Sequence, residues 1–598
     1  MITKMTKYTF LLLTSDTEAF LRDIQNLGVL DITRSRKPVD ATSGKLYREA
    51  ETLRKEIDIV EKCDFSRDEQ HHNLSAKLAA AEEAYAEKLH WGDVDAEKVK
   101  ALREAGCRLN YHTVPVKKYN PAWEQQHAIV EIDRDDKNVR FIRVDRASEG
   151  ANNFQVPKTH VAVESLDELA IHISALKQSV ARREEAMVVR KEEELPFLKQ
   201  VYAAKVQELQ RYLAQNGSTL AADDYITVLT GFAPTEEDTR VQAALDQQSI
   251  YYVAEPATAA DNPPIQLKNN WFARNFETLT GMYGMPVYDE FDPTPVLAPF
   301  FLLFWSFCMG DAGYGLILIA LGLLLKKKEN FDLLGLKKHW RLVTTLGVGT
   351  LVVGLFMGTF FGINLKEVSW IPEGLRKLML GGKIDIGGTS YDVAMIAAIG
   401  IGIFHICLAM VIKAVGITKR AGFKEAISTW GWVILIVGGL IVAGLALTSV
   451  LDKTATKIAV IAVGALSFLG IFIFNKPGRN PLLNIGAGLW DSYQMATGIL
   501  GDVLSYIRLY ALGLAGGMLG GAFNEIGLML LGDHPTWQWP FFILIVLIGH
   551  GLNFAMSCLG AFVHPLRLTF VEYFKNSGYE GKGLEYSPLT NEIEMENK

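Results

Sequence analysis

From residue 295 to about 575 the chain is apolar in segments close to the ~20 residues that a helix needs to cross a bilayer. In lipid a chain satisfies its own backbone hydrogen bonds, so such segments fold as helices. Candidate spans fall at about 296–310, 312–326, 342–363, 393–412, 427–448, 457–474, 486–531 and 540–574. The first two are short and separated by "GDAGYG", which suits either one long helix or a tight hairpin. Charge chooses between these. With eight spans and a cytoplasmic N-terminus, the basic loops "KKKENFDLLGLKKHWR", "KAVGITKRAGFKEA" and "NKPGRNPLLN" all lie inside, as the positive-inside rule requires. The loops at 364–391, 449–456 and 532–539 then lie outside. Merging the first two spans would place the first basic loop outside. Eight spans with both termini in the cytoplasm are therefore expected, in the cell membrane.

The averages of 49% hydrophobic and 21% charged residues conceal a second, different half. Residues 1–290 are charge-rich and periodic. "TKYTFLLLTSDTEAFLRDIQNLGVLDITR" reads strand, helix, strand, and "YTFLLLTSD" is too short and too soon acidic for a signal peptide. Leu46, Ala50, Leu53, Ile57 and Val60 are spaced as an a/d seam. A second seam runs through Leu169, Ile173, Leu176, Val180 and Met187 and continues past Pro196 through Leu198, Tyr202 and Leu209. Between them, about 108–165, lie β-rich pieces, and "YITVLTGFAP" follows as a strand and turn. The economical reading is two α/β lobes at the ends of an antiparallel coiled-coil hairpin, an elongated cytoplasmic arm. A compact α/β domain with long helices is the plainer alternative.

A net charge of −7 argues against nucleic acid as a partner. The five cysteines are scattered without a CxxC, which suits a reducing compartment and no structural metal. No GxxxxGK[ST] loop is present, so the chain is not expected to hydrolyse ATP itself, and no cofactor is expected.

The chemistry concentrates on the last two apolar segments. On the seventh, Asp491, Gln494, Gly498, Gly501, Ser505 and Arg508 recur at 3–4 spacing. On the eighth, His550, Asn553, Ser557, Gly560, His564 and Arg567 do the same, with Glu572 a turn beyond. Ionisable residues inside a membrane are costly and line an ion path or an interface. Plain interhelical hydrogen bonding is the alternative for the stripes. The seventh segment is too long for the bilayer, its roughly 46 residues at 1.5 Å each reaching ~70 Å against ~30 Å of hydrocarbon, and the eighth is also long, so tilting, bending or protrusion is expected. Pro565 removes one backbone donor and is expected to bend the eighth helix near Arg567.

Arg508 lies about as far before the turn near 533–539 as Arg567 lies after it, so an antiparallel pair brings them to one depth. Neither has a carboxylate at i±3 or i±4. The partner of each charge then belongs to another helix or another subunit. A carboxylate on a sliding partner surface has its pKa raised by ~3–5 units in a buried site. A guanidinium at ~4 Å contributes ~4 kcal/mol at an effective dielectric of 20, equivalent to ~3 pK units. The two effects are comparable, so a fixed arginine can release the proton of an arriving acid. Gly513, Gly517 and Gly521 form a small-residue ridge for close helix contact, most simply within the chain.

At "DPTPVLAPFFLLFWSFCMGDAGYG" (292–315), "GDVLSYIRLYALGLAGGML" (501–519) and "LGAFVHPLRLTFVEYF" (559–574) the chain resembles subunit a, or subunit I, of the rotary V/A-type ATPases, of prokaryotic type. The resemblance covers nearly the whole chain. It implies that residues 1–290 are a stator arm binding peripheral-stalk E/G-type subunits and the central-stalk collar (C/d-type subunit). It implies that residues 291–598 are a membrane domain with ion half-channels, whose last two helices tilt strongly. Arg508 and Arg567 match the two arginines that face the proteolipid c-ring, whose carboxylates carry H⁺ or Na⁺. Asp491, Gln494 and Ser505 are expected to line the cytoplasmic access route. His550, Asn553 and Ser557 are expected on the outer side, with His564 and Glu572 near the arginine level or inward. Eukaryotic relatives carry a glutamate at the position of Ser557, so that acid must come from elsewhere. A secondary ion-coupled transporter with a cytoplasmic regulatory domain is the competing reading, but no internal repeat supports it. A cysteine placed at Gly382 is expected to react with a membrane-impermeant label from outside and one at Leu334 to stay protected; the reverse pattern overturns the orientation.

Overall fold

The computed structural model describes residues 1–62, 68–92, 96–146, 154, 156–159, 165–248, 250–327, 336–368, 371–379, 382–386, 389–448, 450, 452–475, 481–531 and 538–590. Residues 328–335, within the basic loop of 326–341, and residues 476–480 and 532–537 lie outside these. The described chain is mostly helical with small sheets and forms two compact units. One holds residues 34–217; the other holds the first lobe, residues 1–33 and 218 onward, together with the apolar helices. The units are drawn by contacts, whereas the boundary near residue 290 follows hydropathy.

In the 34–217 unit, helix Ala41–Lys62 packs on Leu195–Asn216, and Glu69–Trp91 on Leu166–Glu193. The pairs run in opposite directions. Lys205 meets Glu49 at 3.3 Å and Lys199 meets Glu61 at 2.7 Å, while Arg183 meets Asp68 at 2.8 Å and Lys177 meets Glu82 at 2.9 Å. The seam residues face inward: Leu46, Ala50, Ile57 and Val60 are buried on one helix, Leu169 and Met187 on another, with Leu46 against Leu209 and Leu213. Ser165 caps the third helix reciprocally with Glu168, which satisfies two otherwise unpaired donors. A three-stranded antiparallel sheet, ordered Cys107–Pro115, Asn138–Arg146, Ile129–Arg134, carries the β-rich insertion.

The expected strand–helix–strand start is present as Met5–Leu13, Thr17–Leu27 and Asp31–Ile32. Its first strand pairs along its length with Ile226–Pro234, the "YITVLTGFAP" segment, and Tyr251–Pro256 covers its other edge. Tyr8 and Phe10 fill the core beneath.

The apolar helices are α1 (Thr294–Met309), α2 (Ala312–Lys327), α3 (Trp340–Met357), α4 (Val393–Ala421), α5 (Phe423–Leu447), α6 (Lys453–Ile473), α7 (Pro481–Leu531) and α8 (Trp539–Arg567). Six of the described helices, α3 to α8, are long and apolar enough to cross a membrane. At 16 residues each, α1 and α2 span only about 24 Å. Helix α7 is continuous over 51 residues, about 76 Å. Beyond Arg567, two residues after Pro565, the chain widens into a π-helical stretch, Leu568–Tyr573, before a last turn at Phe574–Ser577.

Helix packing answers the question raised by "GDAGYG". A Cβ on Gly349 of α3 would meet Leu302 and Ser306 of α1, while Thr359, just beyond α3, donates its hydroxyl to the Gly310 carbonyl that ends α1. Thus α1 runs parallel to α3. Gly354 abuts Ala312, Gly347 abuts Gly315 and Ile319, and Thr344 abuts Gly322, so α2 runs antiparallel to α3. The chain therefore reverses at Gly310, whose φ of 58° lies in the left-handed region. Asp311 fastens the reversal. Its buried carboxylate accepts the N–H groups of Gly313 (2.7 Å), Phe361 (2.8 Å) and Gly362 (2.7 Å).

At Gly354 an added Cβ would sit 2.3 Å from the Ala312 nitrogen, with backbone on both sides and nowhere to shift. Gly354→Val should therefore destabilise the membrane helices by ~1–3 kcal/mol, read as a lower thermal midpoint in detergent. Gly444→Val on α5, where nothing lies within 4 Å, should leave that midpoint unchanged.

Candidate functional site

The two arginine-bearing helices pack antiparallel in a register that their side chains make visible. Asn553 donates to the Gly516 carbonyl at 2.8 Å, His550 meets Asn524 at 3.0 Å, and Gly549 receives the ring of Phe523. On the other side of the arginines, Asn576 donates to Asp502 at 2.8 Å. Between these fixed points the register brings Arg508 and Arg567 to one level. Arg508 is half-buried and its Nη1 is buried without a hydrogen bond; Arg567 is exposed. Among the described residues neither arginine forms a hydrogen bond or an ion pair with a carboxylate. His564, one turn before Arg567, lies within the field of both guanidinium groups, and its Nδ1 is buried and unbonded.

Toward the N-terminal end of α8 from this level the stripe is a bonded network. His550 Nδ1 meets the Tyr314 hydroxyl of α2 at 2.9 Å, and Asn553 donates to the same hydroxyl at 2.8 Å. Ser557 Oγ lies 3.5 Å from Asn553 Oδ1. His550 and Asn553 are buried and Ser557 is half-buried, so interhelical bonding is present at this height. Beside it, against α7, lies a cavity of about 710 Å³. Its polar lining includes Asp392, Tyr510, Glu525 and Lys366, and the Tyr510 hydroxyl donates to Asp392. Gly513, Gly517 and Gly521 line the same cavity. Gly513 also packs within the chain, where its Cβ would meet the Phe307 carbonyl at 2.3 Å.

Past Arg567, toward Phe574–Ser577, two carboxylates are buried close together. Glu572 is 2% exposed with Oε2 unbonded, and Ser505 of α7 lies beside it. Asp502 is 8% exposed, bonded to Asn576 and 3.7 Å from Lys575. Asn576 also donates to the Glu572 carbonyl at 2.7 Å, so one amide bridges both segments. Ser505 Oγ donates to its own helix, at Gly501, at 3.0 Å. Asp491 is half-buried and bonded to Asn475 at 3.0 Å, and Gln494 is exposed. The structure thus gathers Arg508, Arg567, His564, Ser505 and Glu572, and puts Asp491 and Gln494 farther along α7. Sequence reasoning missed Asp502, Asp392 and Glu525. For Asp502 the signal was available, an acidic residue six before Arg508 in an apolar helix, but the stripe as drawn took Gly501 at that turn. No group of His, Cys, Asp and Glu among the described residues is arranged to hold a metal ion.

Residues 45–361 match the sequence model of the V-type ATPase 116kDa subunit family. The A-type ATP synthase subunit I of Methanocaldococcus jannaschii is 30% identical over 58% of this chain and 52% of its own length. That of Pyrococcus abyssi is 33% identical over 58% and 51%. The chain spans about half the length of these archaeal relatives. The V-type ATP synthase subunit I of Borreliella burgdorferi is 24% identical over 98% of this chain and 99% of its own. With the family matched over more than half the chain and six helices suited to a bilayer, this is a multi-pass membrane protein that belongs to the V-type ATPase 116kDa subunit family.

Proposed function

We propose that this chain is the stator subunit of a rotary V/A-type ATPase or ATP synthase and passes H⁺ or Na⁺ between two half-channels and a ring of proteolipid subunits. One observation carries the reading: Arg508 and Arg567 stand at one level on an antiparallel helix pair, and among the described residues neither makes an ion pair or hydrogen bond with a carboxylate, although Glu572 lies in the field of Arg567. A guanidinium keeps its charge in an apolar site where an ammonium can lose its proton, and it needs a counter-charge there. The counter-charge comes from outside the chain, as the carboxylate of each ring subunit in turn. As each acid arrives at Arg508 it gives up its ion to one access route; as it leaves, it takes another from the second. The fixed cation between the routes repels ions that would otherwise leak straight through.

In this reading the inner route runs by Asp491, Gln494, Ser505, Asp502 and Glu572, with His564 at the arginine gap. The outer route uses the cavity beside α7, and Asp392 and Glu525 provide the acid that Ser557 does not. His550 and Asn553 form the packed wall between α7, α8 and α2, and Ser557 stands at its inner edge. Eight spans, with α1 and α2 as a short pair, keep both termini and residues 1–290 in the cytoplasm. The antiparallel helix pairs there form a coiled-coil arm for peripheral-stalk E/G-type subunits and a C/d-type collar. The relatives named subunit I of A-type and V-type ATP synthases support the assignment.

In the assembled complex, Arg508→Gln and Arg508→Lys should each reduce ATP-driven ion uptake into vesicles to background while the complex still copurifies with its proteolipid ring. Uptake at a substantial fraction of the wild-type rate in assembled Arg508→Gln would overturn the mechanism. Asp392→Asn should slow uptake without abolishing it, because an exposed second acid, Glu525, lines the same cavity.

A further inference from the structure

His405, in the middle of α4, is 1% exposed and surrounded by aromatic rings. Its Nδ1 meets the Tyr506 hydroxyl at 3.0 Å. Its ring stacks on Tyr573 at 4.7 Å and 9°, and on the opposite side lies Phe300 at 4.2 Å. Its Nε2 is buried without a partner. One turn earlier, Gly402 lets Tyr506 close on α4: a Cβ there would fall 2.3 Å from the Tyr506 Cγ and 2.8 Å from its Cβ. These are the root of the ring, not a flexible tip. Tyr506 itself is fully buried.

The two tyrosines are the point of interest. Tyr506 precedes Arg508 by two residues on α7, and Tyr573 follows Arg567 by six, at the end of the π-helical stretch. One imidazole therefore touches both arginine-bearing segments. We infer that His405, together with Gly402, is a positioning residue for Arg508 and Arg567. Successive residues on a helix are about 100° apart, so turning Tyr506 toward α4 sends Arg508 about 200° round, to the far face. Holding Tyr506 fixes the rotation of α7 about its axis, and holding Tyr573 fixes the π-helical end of α8. A phenylalanine would fill the same space and leave no nitrogen unbonded, so packing alone does not account for an imidazole; the bond to Tyr506 does.

This inference rests on the proposed role of the arginines, and the test separates the two. In the intact complex in vesicles, the readout is ion uptake per ATP hydrolysed, normalised to assembled complex. His405→Phe keeps the stack and drops the bond, and Tyr506→Phe drops the same bond from the other side. Each should lower this ratio by about 10-fold, in line with the effect of small misplacements on positioned groups. The double variant should be no worse than either single one, and His405→Gln, which restores a bonding group, should recover much of the loss. Gly402→Ala should lower the ratio as well. Wild-type coupling in His405→Phe and Tyr506→Phe, or losses that multiply in the double variant, would overturn the inference. If His405→Phe fails to assemble, Tyr506→Phe and His405→Gln decide the matter on the same criteria. Arg508→Gln is measured alongside. If it pumps, the reading of the arginines falls and takes this inference with it; if it is inactive while His405→Phe and Tyr506→Phe couple normally, only this inference falls.

Discussion

A guanidinium group cannot shed its charge, and Arg508 holds one with a nitrogen buried and unbonded in a membrane helix. An isolated buried charge is too costly to keep for packing alone. Much of the surrounding architecture can be understood from that constraint. Helices α7 and α8 run antiparallel so that Arg567 joins Arg508 at one depth. The ordered bonds of His550, Asn553 and Asn576 fix that register from both sides. His405 and Gly402 on α4 set the rotation. Two like charges at one level repel each other, so each is held in place by its own helix and not by the other.

The polar groups around the arginines divide by side. Toward the N-terminal end of α8, the network of Tyr314, His550, Asn524 and Asn553 is closed on itself, each member meeting another at about hydrogen-bond distance. A closed network rigidifies. Past Arg567, Glu572 keeps an oxygen unbonded, and His564, at the arginine level, keeps a nitrogen unbonded. Spare bonding capacity on this pair thus stands at the arginine level and past Arg567, and the stripe toward the N-terminal end of α8 braces it.

The short helices α1 and α2 have a parallel role at a different height. Each is too short to cross a bilayer unaided, yet their reversal is held by a single carboxylate, Asp311, that accepts backbone donors from the start of α2 and from the turn after α3. Gly310 at the corner lies 3.3 Å, from its would-be Cβ, to the backbone of Gly513 on α7. The reversal is thereby packed against the helix that carries Arg508, and the "GDAGYG" segment is a structural clamp.

By itself the sequence determined what periodicity and charge can determine. The apolar lengths of α3 to α8, the inward seams through Leu46–Val60 and Leu169–Met187, and the opening strand–helix–strand all follow from repeats that a single segment displays to itself. So does the sharing of one face by Ser505 and Arg508, or by Asn553, His564 and Arg567. That neither arginine is ion-paired along its own helix was legible too, because such a pair would need an acid within four residues. Only the tertiary structure decided who meets whom across helices. Tyr314 and His550 are 236 residues apart, and His405 and Tyr506 are 101 apart. Asp502 came to face Asn576, and Asp311 came to face the turn at 361–362, through helix packing that no local repeat encodes. Burial separated the stripe's members in the same way, leaving Gln494 exposed while closing His550 and Asn553 inside. A residue's face is a property of its own helix, but its partner and its exposure depend on which neighbours that face is packed against.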